Sequence, residues 1–444
     1  MLLEVISSAV LGGVALYAHL QKSGATNDSE KLNKIFSLTG LNVQDGDKTY
    51  TAQLVKKVNH SWGTEYRYRI PLGRSFDDYQ AKLPHIQDGL NNRKTMLQFT
   101  WSDLKSINRE KPLLPQVKTL LTKKKSSKKE VEMSYDGLLK VKVYNQSMPT
   151  LVKFEDVPLP GSWSVPVGQI RESNAVITHD FEQVPHLVTG GATRYGKSNF
   201  LNMIISTLIT QQPANVRFTL IDLKGGVEFA DYRDARQVLH YAEEPEEAEK
   251  ALESVVKEMR SKQQAFKQRG VKNVHEAKDQ VRHFIIIDEV GELNPDEAVT
   301  KEERQLKERC QTYLSQIARL GAGLGYRQIL ATQYPTGDVI PRQCKQNSDA
   351  KLCFRVQTAT ASRVVLDETG AETLPEIRGR AIYQTADKRQ IVQTPMVDSQ
   401  TIRQVVRPHI VIKPRKEQND ASHNQPRGAT GANTPQPGQI RFFE

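Results

Sequence analysis

The chain has 444 residues, 38% of them hydrophobic and 25% charged, with a formal net charge of +11 at pH 7. That length and balance fit a folded protein of two or three domains and exclude a multi-span membrane protein. Its three cysteines, Cys310, Cys344 and Cys353, form no C-x-x-C pair, which argues against a disulfide framework or a zinc site and fits a reducing cytoplasm.

The charge is unevenly placed. Residues 31–150 hold 22 Lys/Arg against 11 Asp/Glu, a surplus equal to that of the whole chain, so the remainder balances. A basic domain beside a neutral one points to a polyanionic partner, nucleic acid or anionic membrane.

The N-terminus from Leu2 to Leu20 carries one charged residue, Glu4, and is followed by Lys22. As a helix those nineteen residues would span roughly 28 Å, close to the ~30 Å hydrocarbon core. Residues 1–22 are therefore expected to be a membrane anchor, with the rest of the chain on the cytoplasmic side. A soluble or interfacial helix and a cleaved signal are the other readings of this segment. A polar linker, 23–30, leads to an expected basic α+β domain over 31–156. Within it Thr49–Val55, Glu65–Ile70 and Leu138–Tyr144 read as strands, Pro71–Gly73 as a turn and Phe76–Asn92 as a helix. The run from Lys123 to Lys129 holds five lysines, a solvated loop or a contact for DNA or anionic lipid.

Prolines 158, 160 and 166 lead into a second domain, expected over 157–411. Apolar strands at Val184–Val188, Val216–Leu223, His283–Val290, Gln328–Thr332 and Lys351–Val356 alternate with helical segments. This is the pattern of a parallel α/β sheet. Residues 412–444 are rich in Asn, Gln, Pro and Gly and are expected to be disordered.

The chemistry concentrates in that second domain. Gly191, Ala192, Thr193, Arg194, Tyr195, Gly196, Lys197 and Ser198 fit G-x-x-x-x-G-K-[ST], between an apolar strand and a helical run that opens at Asn199. Backbone N–H groups of such a loop cradle phosphates, aided by the helix N-terminus. Lys197 is expected to reach the β/γ-phosphates of ATP, and Ser198 to ligate Mg²⁺. Asp288 and Glu289 sit at the C-terminal end of the apolar strand His283–Val290, at the sheet edge where ligands bind in open parallel sheets. Asp288 is expected to hold the metal and Glu289 to activate the attacking water. Gln333, at the end of Gln328–Thr332, is a candidate contact for the γ-phosphate or that water.

These motifs occur in the order Gly190–Ser198, Leu220–Glu228, Ile285–Val290, Leu330–Pro335, Phe354–Asp367 with Gly370–Glu372, then Gly379–Tyr383 and Gln393–Pro395. So ordered, the stretch 160–400 resembles the FtsK/SpoIIIE branch of the FtsK–HerA ATPases. The resemblance implies a RecA-like P-loop ATPase core, ring hexamers and ATP-driven DNA translocation, with an arginine donated by a neighbouring subunit. Where the family usually carries that arginine, this chain has Ala322. Arg319 is the nearest substitute, with Arg355 and Arg363 as further candidates. The tail is expected to be too short to hold the family's sequence-reading winged-helix domain. One N-terminal apolar segment, a basic domain, a motor and a polar tail resemble the FtsK-like coupling proteins of Gram-positive conjugative elements. That implies a role bringing double- or single-stranded DNA, with its relaxase, to a membrane secretion channel. Other readings are a segregation or packaging translocase, a protein-secretion ATPase and a non-catalytic DNA tether.

Overall fold

The computed structural model describes residues 28–91, 129–172, 175–333 and 339–411. The expected anchor over 1–22, the expected disordered tail and all of the lysine run except Lys129 lie outside them. Among the described residues no helix is long and apolar enough to cross a membrane.

The N-terminal domain opens with α1 (Asp28–Leu38), followed by β1 (Val43–Asp45), β2 (Lys48–Tyr50), β3 (Gln53–His60) and β4 (Gly63–Arg69). Then come α2 (Phe76–Ala81), α3 (Leu83–Asn91), β5 (Glu130–Asp136) and β6 (Leu138–Tyr144). Four strands form an antiparallel sheet in the order β3-β4-β6-β5. Alternation turns Tyr66 and Tyr68 of β4, and Leu139, Val141 and Val143 of β6, to a buried face. Leu32 and Phe36 of α1, Tyr79 of α2 and Ile86 and Leu90 of α3 cover it. Asn91 and Lys129 hydrogen-bond each other and so bring the two ends of the undescribed 92–128 together.

Two expected elements of this domain are divided. The strand expected over Thr49–Val55 is split, because an Asp45-Gly46-Asp47 turn with Gly46 at φ 56° folds Lys48–Tyr50 back on Val43–Asp45 as a separate ribbon. The helix expected over Phe76–Asn92 breaks at Lys82. Pro84 lacks the N–H that a continuous helix would give to the Gln80 carbonyl, so it fits the first turn of a new helix and cannot continue an old one.

The second domain contains β7 (Val152–Lys153), β8 (Ser164–Ile170), β9 (Val176–Asp180), β10 (Leu187–Gly190), α4 (Lys197–Gln211), β11 (Val216–Ile221), β12 (Val238–Ala242) and α5 (Pro245–Arg269). It continues with β13 (Arg282–Ile287), α6 (Lys301–Leu320), β14 (Tyr326–Thr332), α7 (Arg342–Gln346), β15 (Ala350–Phe354) and α8 (Ala359–Leu366). It closes with β16 (Arg380–Gln384), β17 (Arg389–Gln393), β18 (Pro395–Met396) and α9 (Ser399–Val406). Ten strands make one sheet in the order β12-β11-β13-β14-β10-β15-β16-β17-β8-β9. The six from β12 to β15 are parallel and the four that follow are antiparallel. Helices α4 and α9 pack on one face, and α5, α6 and α8 on the other. This is the mixed α/β, P-loop ATPase architecture expected, extended by an antiparallel wing that includes β8 and β9.

The strand ends differ from expectation in ways that matter for the site. Pro185 cannot donate to a ladder, so β10 begins at Leu187, not Val184, and runs to Gly190. Strand β13 stops at Ile287, and a 3-10 turn starts at Val290. Asp288 and Glu289 therefore stand in the step between strand and turn. Strand β14 begins two residues early, at Tyr326.

Candidate active site

The phosphate-loop motif leaves the C-terminal end of β10, between β14 and β15. Its neighbours shape it directly: Gly191 donates to the Thr332 carbonyl of β14 and Ala192 to the Arg355 carbonyl beyond β15. A Cβ at Gly191 would stand 2.6 Å from that of Phe354, so only glycine lets the loop pass. Arg194 takes a left-handed φ of 75°, an uncommon conformation for a non-glycine residue and one found at ligand-binding turns. Gly196, at φ 118°, opens α4. That helix is apolar on nearly every side (Phe200, Leu201, Ile204, Ile205, Leu208) and is buried accordingly, which fixes its N-terminus under the loop.

Lys197 and Asp288 meet in the interior. Lys197 Nζ donates to both the carbonyl and Oδ1 of Asp288, each at 2.6 Å, with the two side chains 3% and 0% exposed. The second carboxylate oxygen of Asp288, Oδ2, is buried and has no hydrogen-bond partner. A buried carboxylate oxygen without a donor is costly unless a cation or water faces it. Glu289, 4% exposed, is held at Oε2 by the Gln333 backbone N–H at 2.8 Å and by Lys224 Nζ at 3.2 Å. The Gln333 side-chain oxygen in turn accepts from the Thr193 hydroxyl of the loop, at 3.2 Å. The fold thus brings Lys197, Asp288, Glu289 and Gln333 together from three separate stretches of sequence.

Two further acids join them. Asp222, just past β11, is wholly buried and accepts from the N–H groups of Glu228, Phe229 and Lys224, so it anchors the Leu223–Val227 turn. Glu228 lies beside the Ser198 hydroxyl, and its pKa is pushed up by burial and then by the charge of Asp288. The Asp222 pKa rises for the same two reasons, burial first. Neither acid was singled out as a site residue from the sequence. The available signal was that Asp222 follows an apolar strand as Asp288 does.

A cavity of about 580 Å³ opens over the loop. Ala192, Thr193, Arg194, Gly196, Lys197, Ser198, Asn199, Glu228 and Gln333 line it, together with Thr150, Leu151, Arg378, Gly379, Gln393, Thr394 and Met396. Gly191 and Tyr195 do not line it. Tyr195 packs on the core and its carbonyl accepts from the Gly379 N–H. Asn199 also ties α4 to the Val397 carbonyl through its Nδ2, at 2.6 Å.

Ser198 and the open oxygen of Asp288 fit a hard divalent cation such as Mg²⁺. Among the described residues no three His, Cys, Asp or Glu side chains converge on one metal-sized point. The chain offers a hydroxyl and a carboxylate, a partial shell of the kind phosphate oxygens and water complete.

Arg319 does not join this group. It is exposed near the end of α6, at the opposite edge of the sheet, where its Nε donates to the Ser315 carbonyl. Arg355 is engaged by the Leu374 carbonyl and by Glu376, and Arg363 is exposed on α8. All three cysteines are buried and free; burial pushes the Cys310 and Cys344 thiols up to about 12, so they are inert packing groups.

The FtsK/SpoIIIE family profile matches residues 159–290. DNA translocases FtsK from Chlorobaculum tepidum and from Streptococcus pyogenes serotype M3 are each 32% identical to this chain over 246 residues, about half of it. The chain covers 29% of the length of each, under a third of these curated relatives. The solved structure of the pCW3 conjugation coupling protein TcpA, in monomer form with ATPγS, superposes with a TM-score of 0.58 at 22% identity. That match covers 86% of this chain and 99% of TcpA. The segment that matches the FtsK/SpoIIIE family, 159–290, includes the phosphate loop and the Asp288–Glu289 pair.

Proposed function

We propose that the protein is an ATP-driven DNA translocase that works as a membrane-associated coupling protein in conjugative DNA transfer. The observation that carries the catalytic half is the convergence of Lys197, Asp288, Glu289 and Gln333 on one face of the phosphate loop. Lys197 places a buried positive charge where phosphate charge must be stabilised. Glu289 is oriented by two donors, so its carboxylate is positioned to take a proton from water. Gln333 bridges Glu289 and Thr193, so a change at the phosphate loop is felt at the base and at β14 together. A magnesium ion held by Ser198 and Asp288 would neutralise charge on the phosphate oxygens.

The DNA half is supported by the basic domain and by the similarity of residues 159–290 to FtsK translocases. Its surplus of lysine and arginine suits contact with phosphates, which a motor moving over any sequence requires. The conjugative role is supported by the likeness to TcpA, which extends over both domains. In this reading Arg319, remote from its own subunit's pocket, serves the pocket of a neighbour in a homohexameric ring. The relaxase and the secretion channel are the partners at either end of the path, and the 1–22 segment is the membrane anchor.

The test is the hydrolysis rate of the full chain with and without double- and single-stranded DNA, with imaging of the particles. Stimulation by DNA together with six-fold rings is expected. A rate indifferent to DNA would remove the translocase reading and leave a P-loop ATPase of another kind. Loss of conjugative transfer in cells carrying Lys197→Ala separates the coupling role from segregation.

A further inference from the structure

The four-stranded sheet of the N-terminal domain has two unlike faces. One is the buried face that α1, α2 and α3 cover; the other is polar. Across the polar face the strand registers set three cations side by side. Lys56 of β3 stands opposite Arg67 of β4, and Arg67 stands opposite Lys140 of β6. Arg69, two residues along β4, points to the same face. Like charges directly opposite each other on neighbouring strands repel and weaken a sheet.

The domain only partly relieves that repulsion. Glu65, largely buried, accepts from Arg67 Nε at 2.6 Å. Asp136 pairs with Lys140 at 3.0 Å, with its own side chain 82% exposed, and so exposed a pair contributes little. Lys56 and Arg69 are exposed and have no ion-pair partner among the described residues. Four cations thus meet two acids on a face that packing does not require to be basic.

The row fits a phosphate backbone. Neighbouring strands lie ~4.8 Å apart, so the step from Lys56 to Lys140 is roughly 10 Å. Duplex DNA carries one charge per ~1.7 Å of its axis, a density that no single acidic side chain matches. Ser134 continues the row on β5 and Gln53 faces Arg69 on β3, so no aromatic ring interleaves the cations to stack on a base. An anionic membrane is the other surface of comparable charge. The chain enters the domain away from the row, however: Asp28, which opens α1, pairs with Lys129 beside the first residue of β5. A membrane holding residues 1–22 would meet that end of the sheet.

We propose that Lys56, Arg67 and Lys140, with Arg69, form a phosphate track for duplex DNA on the N-terminal domain. This rests on the DNA-translocase reading and adds a second place of contact, outside the nucleotide-binding domain. None of the four residues lines the nucleotide cavity, so the grip should be equal with and without ATPγS.

The test is binding of the full-length protein to a short fluorescent duplex, titrated with salt. The double variant Lys56→Gln, Lys140→Gln should weaken binding about tenfold or more at ~0.1 M salt. Its slope of log affinity against log salt should be shallower by about 2. The control Lys34→Gln, Lys82→Gln removes the same charge from the helical side and should bind within about twofold of the parent. The thermal midpoint of the Lys56/Lys140 variant should equal or exceed the parent's, because repulsion is relieved; a merely structural row would lower it. An unchanged salt slope in that variant would overturn the track, as would an equal loss in the control. Lost binding to phosphatidylserine vesicles with duplex binding intact would also overturn it and give the row to the membrane. A parent protein that binds no duplex would remove the translocase reading itself and the track with it.

Discussion

Glu182 and Asp288 are two largely buried carboxylates at opposite edges of the same sheet, and their surroundings differ in kind. Glu182 precedes β10 and faces the starts of β13 and β14. Its Oε1 accepts from Arg282 and Arg327, both at 2.8 Å, and its Oε2 from Arg282 at 2.8 Å, with His275 Nε2 3.2 Å from that oxygen. Both oxygens are taken by side chains of the same chain. Asp288 has Lys197 on one oxygen and nothing on the other. Around it stand Asp222, Glu228 and Glu289, four carboxylates against the two lysines 197 and 224. Ion pairing alone thus does not mark a site. The mark is the charge that the fold itself leaves unsatisfied, with a cavity beside it.

That contrast can be broken at either edge. Glu182→Gln strands two buried guanidinium groups and should cost about 3–5 kcal/mol of stability, measured by denaturant unfolding. Hydrolysis per folded molecule should stay within about twofold of the parent's, since nothing at the far edge changes. The pH dependence follows from the two arginines, which outweigh the effect of burial and hold the Glu182 carboxyl below its ordinary 4.5. A depressed carboxylate adds stability that is present above its unfolded value and is lost as pH falls through its folded one. The gap between parent and variant should therefore be flat from neutral pH down to near 4.5 and narrow only below it.

Asp288→Asn is the converse. It should lower hydrolysis by roughly 10²–10³-fold and abolish the response to added Mg²⁺. Its stability should change by less than about 1 kcal/mol, because it removes a negative charge from an acidic cluster. A loss of several kcal/mol would make Asp288 a structural partner of Lys197, like Glu182, and erase the contrast. Gln333→Ala should cost on the order of tenfold in hydrolysis with nucleotide affinity unchanged, since its backbone N–H still holds Glu289. The smallest effect belongs to Arg319→Ala, which should leave subunit stability within about 0.5 kcal/mol while lowering the rate of the assembled protein.

Much of the second domain was legible in its sequence because its signals are local. The phosphate loop must be glycine-rich at fixed spacing, and a fully buried strand such as Phe284–Ile287 is a run of apolar residues. Asp288 and Glu289 were found because acids ending such a run are costly without a cation. The segment joining the two domains was not legible. Leu151 reads as an ordinary apolar residue before a two-residue strand, and its place at the cavity depends on β18, more than two hundred residues away. Arg380 looked like one residue of a closing-strand motif; only the fold buries it against Pro149. Glu228 was in view only as part of a family motif, and its place beside Ser198 depends on how Asp222 anchors the turn before it. The divided helix at Lys82 had a visible cause in Pro84, which outweighed the helical pattern around it.

The central claim is that hydrolysis at Lys197 moves the protein along DNA, and displacement of a third strand from a triplex at the far end of a linear duplex reads that movement directly. The full-length protein with ATP and Mg²⁺ should strip the third strand, while ATPγS, and the Lys197→Ala variant with ATP, should bind the duplex and strip nothing. Displacement that proceeds without hydrolysis, or DNA-stimulated hydrolysis that never displaces the strand, would contradict it.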